Sequence, residues 1–285
     1  MLIKAAINGG RTRAEHPAIP VTPEEQAKEA AAAVAAGAGA IHVHVRGSDG
    51  RESLRPDDIA RALEAIRASC PGIPVGVSTG AWISPDASER LSLVRRWTVL
   101  PDFASVNVHE DSALELIRLL RDRRIGVEAG VWNAHAARAL QDSGMAHECL
   151  RVQIEAALGR PTASRLLHGL DAWAWEFVAL AATRGYDTRT GFEDTLRLPD
   201  GSIAPDNAAF DRCANADGGQ SCGTVGWTPP AIRRVAWSPT HSGAVMPRSY
   251  ATSCTPVPSN PAAELTAAQV RLARSSALAR RFGGR

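Results

Sequence analysis

The stretch from Gly39 to Arg46 reads Gly-Ala-Ile-His-Val-His-Val-Arg. On a β-strand alternate residues share a face, so His42 and His44 would turn both imidazoles toward one point. Two convergent imidazoles suit a zinc ion; they equally suit two histidines that only satisfy hydrogen bonds on an inward face. Glu193, in Gly191-Phe192-Glu193-Asp194, is a candidate third ligand. Three protein ligands with one open position form the catalytic rather than the structural arrangement of zinc.

Other residues of chemical type stand near these in the pattern. Asp194 follows the candidate ligand, and Arg189 precedes it by four residues, close enough for a plain ion pair. Ser78 closes the run Val75-Gly76-Val77-Ser78 but has no G-x-S-x-G around it, which excludes a nucleophile elbow. Glu128 lies between Gly126 and Gly130 in an apolar stretch, and a carboxylate buried there needs a partner. Asn107, Glu110 and His168 follow short β-prone runs and could face a substrate. Arg11, after Asn8-Gly9-Gly10, could meet a substrate anion or pair with Glu15 or Glu110.

These residues need elements that deliver them to one place. Eight β-prone runs are spaced along the chain: Leu2 to Ile7, Ala40 to Val45, Pro74 to Thr79, Phe103 to Val108, Gly126 to Val131, Leu150 to Ile154, Arg165 to His168 and Thr188 to Phe192. Ala-rich amphipathic stretches separate them, as in repeated βα units. The clearest helix start is Thr22-Pro23-Glu24-Glu25: a capping hydroxyl, a proline in the first turn and acids at the positive dipole end. This helix is expected to end near Gly37, the next to run from Pro56 or Asp57 to Ala68, and another from Asp171 to Thr183. The first turn lacks G-x-G-x-x-G, which argues against a dinucleotide-binding sheet. Eight units predict a (β/α)8 TIM barrel, whose working groups gather at the C-terminal ends of the strands. Every candidate above falls at such an end or in the strand leading to it.

Composition fits one large domain. The 285 residues carry 32 Lys plus Arg against 30 Asp plus Glu, too balanced for a nucleic-acid or membrane footprint. No run approaches a membrane span, the first residues do not read as a signal peptide, and the five scattered cysteines predict reduced thiols in a cytoplasmic protein. The pattern changes near its end. From Cys213 to Ala263 there is neither Glu nor Lys, periodicity is lost, and only Ala262 to Arg281 could again be helical. The expectation is a barrel over 1–207 and an atypical tail over 208–285 that is disordered or read from a shifted frame.

The segments AAINGGRTRAEHPAIPVTPEE, GAGAIHVHVR, VSTGAW, ASVNVHED, GVEAGVW, LLHGLDAWAW and TRTGFEDT, in this order, resemble the β-keto acid cleavage enzymes, the 3-keto-5-aminohexanoate cleavage enzyme-like family, over about residues 1 to 207. The resemblance implies a zinc-dependent barrel that converts a β-keto acid plus acetyl-CoA to acetoacetate plus a new CoA thioester. It implies His42, His44 and Glu193 as Zn2+ ligands and Asp194 as the general base. Arg189 would be its partner, Ser78 an active-site serine, and Glu128 a carboxylate of the same polar network. Arg11 and Glu110 depart from the pattern of the amino-keto-acid members, which implies a different substrate, such as a β-keto dicarboxylic acid. Asn107 and His168 would join them in binding it. The partners expected are acetyl-CoA and the keto acid, with no nucleic acid or membrane, in a homo-oligomer. The family's final helix is not recognisable beyond Asn207. The competing expectations are a metal-dependent aldolase or hydrolase on the same barrel, or an inactive metal-binding remnant with a broken C-terminus.

Overall fold

A computed structural model describes residues 1–154 and 164–216 of the chain. The chain divides into two units, Met1–Val235 and Ala236–Arg285, and the second lies wholly outside the described residues. So do most of the expected tail and its possible helix near 262–281.

Eight strands form a closed, all-parallel barrel in sequence order: β1 (Ile3–Ala6), β2 (Ala40–Val43), β3 (Val75–Ser78), β4 (Phe103–Asn107), β5 (Gly126–Val131), β6 (Arg151–Ile154), β7 (Ser164–Leu167) and β8 (Asp187–Thr190). Each coincides with one expected run, and the fold is the TIM barrel that eight βα units predict. The helices are α1 (Pro23–Ala35), α2 (Pro56–Ser69), α3 (Ala87–Arg95), α4 (Ala113–Asp122), α5 (Ala134–Asp142), α6 (Ala174–Arg184) and α7 (Asn207–Asn215). Thr22 caps α1 in a full capping box with Glu25, so the first turn's orphan amide groups are met by side chains. The stretch expected to begin as a helix at Asp171 starts instead with a 3₁₀ turn, Asp171–Trp173, before α6. No described helix is long and apolar enough to cross a membrane.

Strand alternation divides the side chains sharply. Ile41, Val43, Val75, Val77, Ala104 and Val106 point out of the barrel and join the main apolar core. Several inward positions are polar, where barrels of this kind usually hold bulky branched residues, and they share the interior with Leu2, Ala40 and Phe103. Lys4 of β1 reaches Glu128 on β5, on the opposite side of the closed sheet, and forms a fully buried ion pair with it. Glu128 also accepts from Arg151 Nη1 at 2.6 Å and Gln153 Nε2 at 2.7 Å. Burial alone would raise the Glu128 carboxyl, but Lys4 and Arg151 hold it down at about 2. Burial brings the Lys4 ammonium down to about 8. A saturated pair of this kind adds little net stability when intact, yet losing one partner typically costs about 3–5 kcal/mol.

The fold runs past the boundary expected at 207. Asp206 caps α7, which packs on α1 and on the seam between β8 and β1. Asn207 ties the seam: its Nδ2 donates to Ile7 O at 3.0 Å and Glu29 Oε2 at 2.9 Å, and its Oδ1 accepts from Phe192 N at 3.1 Å. Phe210 packs with Ile19, Phe192 and Ala204 over the same seam. Among the described residues, Cys70 and Cys149 are free, buried thiols.

One residue of α7 conflicts with its surroundings. Asp211 is completely buried and neither carboxylate oxygen has a hydrogen-bond partner among the described residues. Burial therefore raises its carboxyl well above the usual range. An acid whose folded-state value is raised loses stability as pH rises from its unfolded value near 4 toward the folded one. Asp211→Asn should accordingly be more stable than the unaltered chain at neutral pH, by about 1–3 kcal/mol or several degrees in Tm. The gain should vanish below about pH 4. Thermal denaturation across that range checks this, and a gain independent of pH would contradict it.

Candidate metal centre and active site

Two glycines shape the place where the turns after β1 and β8 meet. Gly191 has φ +145°, and a Cβ there would lie 2.3 Å from Ala6 O, so only glycine lets the chain turn at the end of β8. Gly9, at φ +56° after β1, leaves the space that Glu193 fills; a Cβ on it would lie 2.5 Å from Glu193 Cγ. Beyond these turns Glu193 and Asp194 are re-aimed toward the barrel mouth.

His42 lies in β2, and His44 one residue past its end. The strand direction is nevertheless kept at His44, because the Asn8 side chain acts like a neighbouring strand. His44 N donates to Asn8 Oδ1 and Asn8 Nδ2 donates to His44 O, both at 2.9 Å. The two imidazoles converge as alternation predicts. Glu193 Oε2 lies 3.5 Å from His42 Nε2 and 3.4 Å from His44 Nε2, and the three side chains can each offer one ligand atom within 4.8 Å of the others. Glu193 Oε2 is buried without a hydrogen-bond partner among the described residues. An orphaned carboxylate oxygen facing two imidazole nitrogens fits a divalent cation, and the His2Glu donor set suits zinc. Without an ion, burial holds the His42 imidazole down near 3; burial would also lower His44, but Glu193 and Glu52 raise it to about 9.

Arg189, on β8, serves both neighbouring carboxylates. Its Nη2 lies 2.8 Å from Glu193 Oε1 and 2.7 Å from Asp194 Oδ1, and its Nε donates to the two Asp194 oxygens at 3.1 and 3.2 Å. His168, just beyond β7, places Nδ1 3.3 Å from Asp194 Oδ1. Burial alone would raise both acids, but Arg189 is the largest influence holding each of them below the usual carboxylate range. The structure thus brings His42, His44, Glu193, Arg189, Asp194 and His168 together.

The remaining candidates are placed around this group. Ser78 ends β3, buried, with its Oγ accepting from Gly80 N at 3.4 Å. Asn107 and Glu110 form their own cluster: Asn107 Nδ2 donates to Glu110 Oε1 at 2.8 Å, and Trp132 Nε1 donates to Asn107 Oδ1 at 2.7 Å. Burial pushes the Glu110 carboxyl up. Glu128 lies in the barrel axis with its oxygens engaged by Lys4, Arg151 and Gln153. Arg11 pairs with Asp171 at 2.8 Å and with Glu15 at 3.4 Å; no ion pair with Glu110 occurs among the described residues. Asp171 itself has φ +50°, and its N–H donates to Asp194 O at 2.6 Å, which links the Arg11 loop to the backbone of the β8 turn.

Three participants were not singled out from the sequence. Lys4 reads as the lone charge of an apolar strand. Glu52 lies in a loop eight residues after His44, yet its carboxylate meets His44 Nδ1. Trp82 Nε1 donates to the same carboxylate at 3.1 and 3.0 Å. The inward position of Lys4 was the one available signal; nothing local marks Glu52.

The chain is 27% identical to the 3-keto-5-aminohexanoate cleavage enzyme of Fusobacterium nucleatum, over 73% of this chain and 87% of that protein. It is 30% identical to the 3-oxoadipate:acetyl-CoA acetyltransferase of Cupriavidus necator, over 73% of this chain and 85% of that protein. Among solved structures it resembles ObcA in a ternary complex with a C4-CoA adduct and oxalate. The TM-score is 0.58 at 14% identity, covering 69% of this chain and 62%, less than two thirds, of that one, a likeness of fold. Residues 1–157 match the beta-keto acid cleavage enzyme family, and with the convergent histidine pair, the glutamate and the arginine-clamped aspartate in place, the chain belongs to that family.

Proposed function

We propose that this protein exchanges acyl groups between a β-keto acid and acetyl-CoA, giving acetoacetate and the CoA thioester of the remaining acyl group, with zinc held by His42, His44 and Glu193. The observation that carries the reading is the adjacency of two differently employed carboxylates. Glu193 directs an unpartnered oxygen at two imidazoles, while Asp194 is held by Arg189 and His168. A divalent ion in this site would supply Lewis-acid polarisation of the keto oxygen. Asp194, kept ionised by Arg189, is the base that removes a proton from the carbon between the two carbonyl groups. His168 and Arg189 fix its position. Ser78, Asn107 and Glu110 offer hydrogen-bonding groups at the strand ends, and Glu128 supports the site from beneath through Lys4 and Arg151. The functional assembly is a homo-oligomer.

Arg11 directs the choice of substrate. Asp171 and Glu15 now occupy its guanidinium, one nitrogen each, and a substrate carboxylate can take the place of Asp171 on Nη2. A β-keto dicarboxylic acid of the 3-oxoadipate type is therefore preferred over one ending in an ammonium group.

His42→Ala or Glu193→Ala should remove both bound zinc and turnover, because an open site with three protein ligands cannot lose one and retain its affinity. Metal analysis of purified variants checks this, and full occupancy in either would refute the ligand set. Asp194→Asn should keep the metal while turnover falls by about 10²- to 10⁴-fold. Product formation must depend on acetyl-CoA; breakdown of the keto acid without it would mark an aldolase or hydrolase instead. In competition between 3-oxoadipate and 3-keto-5-aminohexanoate the dicarboxylate should win, and Arg11→Glu should narrow or reverse the ranking. An unchanged ranking in that variant would restrict Arg11 to its pairing with Asp171 and Glu15.

A further inference from the structure

Glu52 is carried on a short hairpin that folds back over the end of β2. Arg46 and Glu52 form an antiparallel bridge, Ser53 N donates to Val45 O at 2.9 Å, and Gly50 turns the chain at φ +77°. This returns the Glu52 carboxylate to His44, where it engages Nδ1. An imidazole held at Nδ1 presents Nε2 on its other side, and His44 Nε2 is the nitrogen that faces Glu193. The other candidate ligand has no such support: His42 Nδ1 finds no hydrogen-bond partner among the described residues.

The same carboxylate binds a second group. Trp82, in the loop after β3, donates its indole N–H to both Glu52 oxygens, and its ring stacks on the His44 ring at 6.1 Å between centroids with 21° between planes. Gly80 permits this return, since a Cβ there would lie 2.2 Å from Trp82 Cη2. The indole remains 43% exposed at the mouth. His44 is thus fixed along its edge by Glu52 and across its face by Trp82, from two different loops.

We propose that Glu52 is a positioning residue of the metal centre, which holds His44 so that Nε2 faces the ion and ties Trp82 to that ligand. The inference rests on the reading of His42, His44 and Glu193 as a metal site. Carboxylates behind a ligating histidine typically account for 10- to 100-fold in metal affinity, because they fix the ring's orientation and tautomer.

The test is a zinc titration of the metal-free full chain against a chromophoric chelator, with thermal denaturation of each metal-free variant alongside. Glu52→Ala should weaken zinc binding by about 10- to 100-fold while the metal-free chain, though less stable, still unfolds cooperatively. Glu52→Gln retains one accepting oxygen and should lose less. Trp82→Phe, which leaves Glu52 bonded to His44, should keep affinity close to that of the unaltered chain. Unaltered affinity in Glu52→Ala overturns the proposal, and so does a loss in Trp82→Phe as large as that in Glu52→Ala. An unaltered chain that binds no zinc overturns the metal-centre reading as well, which separates the two failures.

Discussion

Two neighbouring carboxylates, Glu193 and Asp194, are buried at the end of β8, and they can both be ionised there because Arg189 lies between them. Without that guanidinium, burial and mutual repulsion would favour protonating one of the pair. With it, Glu193 gives Oε1 to the arginine and turns Oε2 toward the imidazoles, while Asp194 gives both oxygens to the arginine and shares Oδ1 with His168. The arrangement imposes demands on the backbone. Consecutive residues can both reach one guanidinium only if the strand stops and turns, which Gly191 allows. The space that Glu193 then enters exists because position 9 has no side chain.

Below this centre the barrel carries buried charge beside hydrocarbon, with Lys4 over the Phe103 ring. Lys4, Glu128, Arg151 and Gln153 form a closed set of hydrogen bonds across the axis. Such a core is costly to assemble and severe in what it permits, because any misplaced strand would leave a buried charge unpaired. It also extends electrically upward: the Lys4 charge helps hold His42 neutral, and Arg189 helps to lower Lys4. Glu128 contributes to the site through this network while its hydrogen bonds are spent within it.

The β2 side is held by side chains standing in for backbone. Asn8 completes the hydrogen bonding of His44 where the sheet has ended, and Glu52 holds the ring from behind. On the β8 side the equivalent support comes from Asp171, whose left-handed backbone directs an N–H to the Asp194 carbonyl while its carboxylate meets Arg11. Loops thus fix the polar ends of strands that the barrel alone would only bring near one another.

The eight βα units, the capped start of α1 and the shared face of His42 and His44 were legible in the sequence, because each follows from local periodicity or from a cap a few residues long. The pairing of Glu193 with those histidines followed from position at the mouth of an assumed barrel and from family resemblance. Other features had no local signal. That α7 would continue the fold past Asn207 depended on Asn207 and Phe210 finding partners on β1, α1 and the turn after β8. Lys4 and Glu128 become a pair only when β1 and β5 face each other across a closed sheet. Glu52, Trp82 and Asp171 acquire roles from loop conformations set by bridges, a glycine turn and a positive φ. Local sequence decides which residues alternate and where a helix begins; the closing of the barrel decides which charges meet, since a buried charge takes its partner from whatever the tertiary structure places within reach.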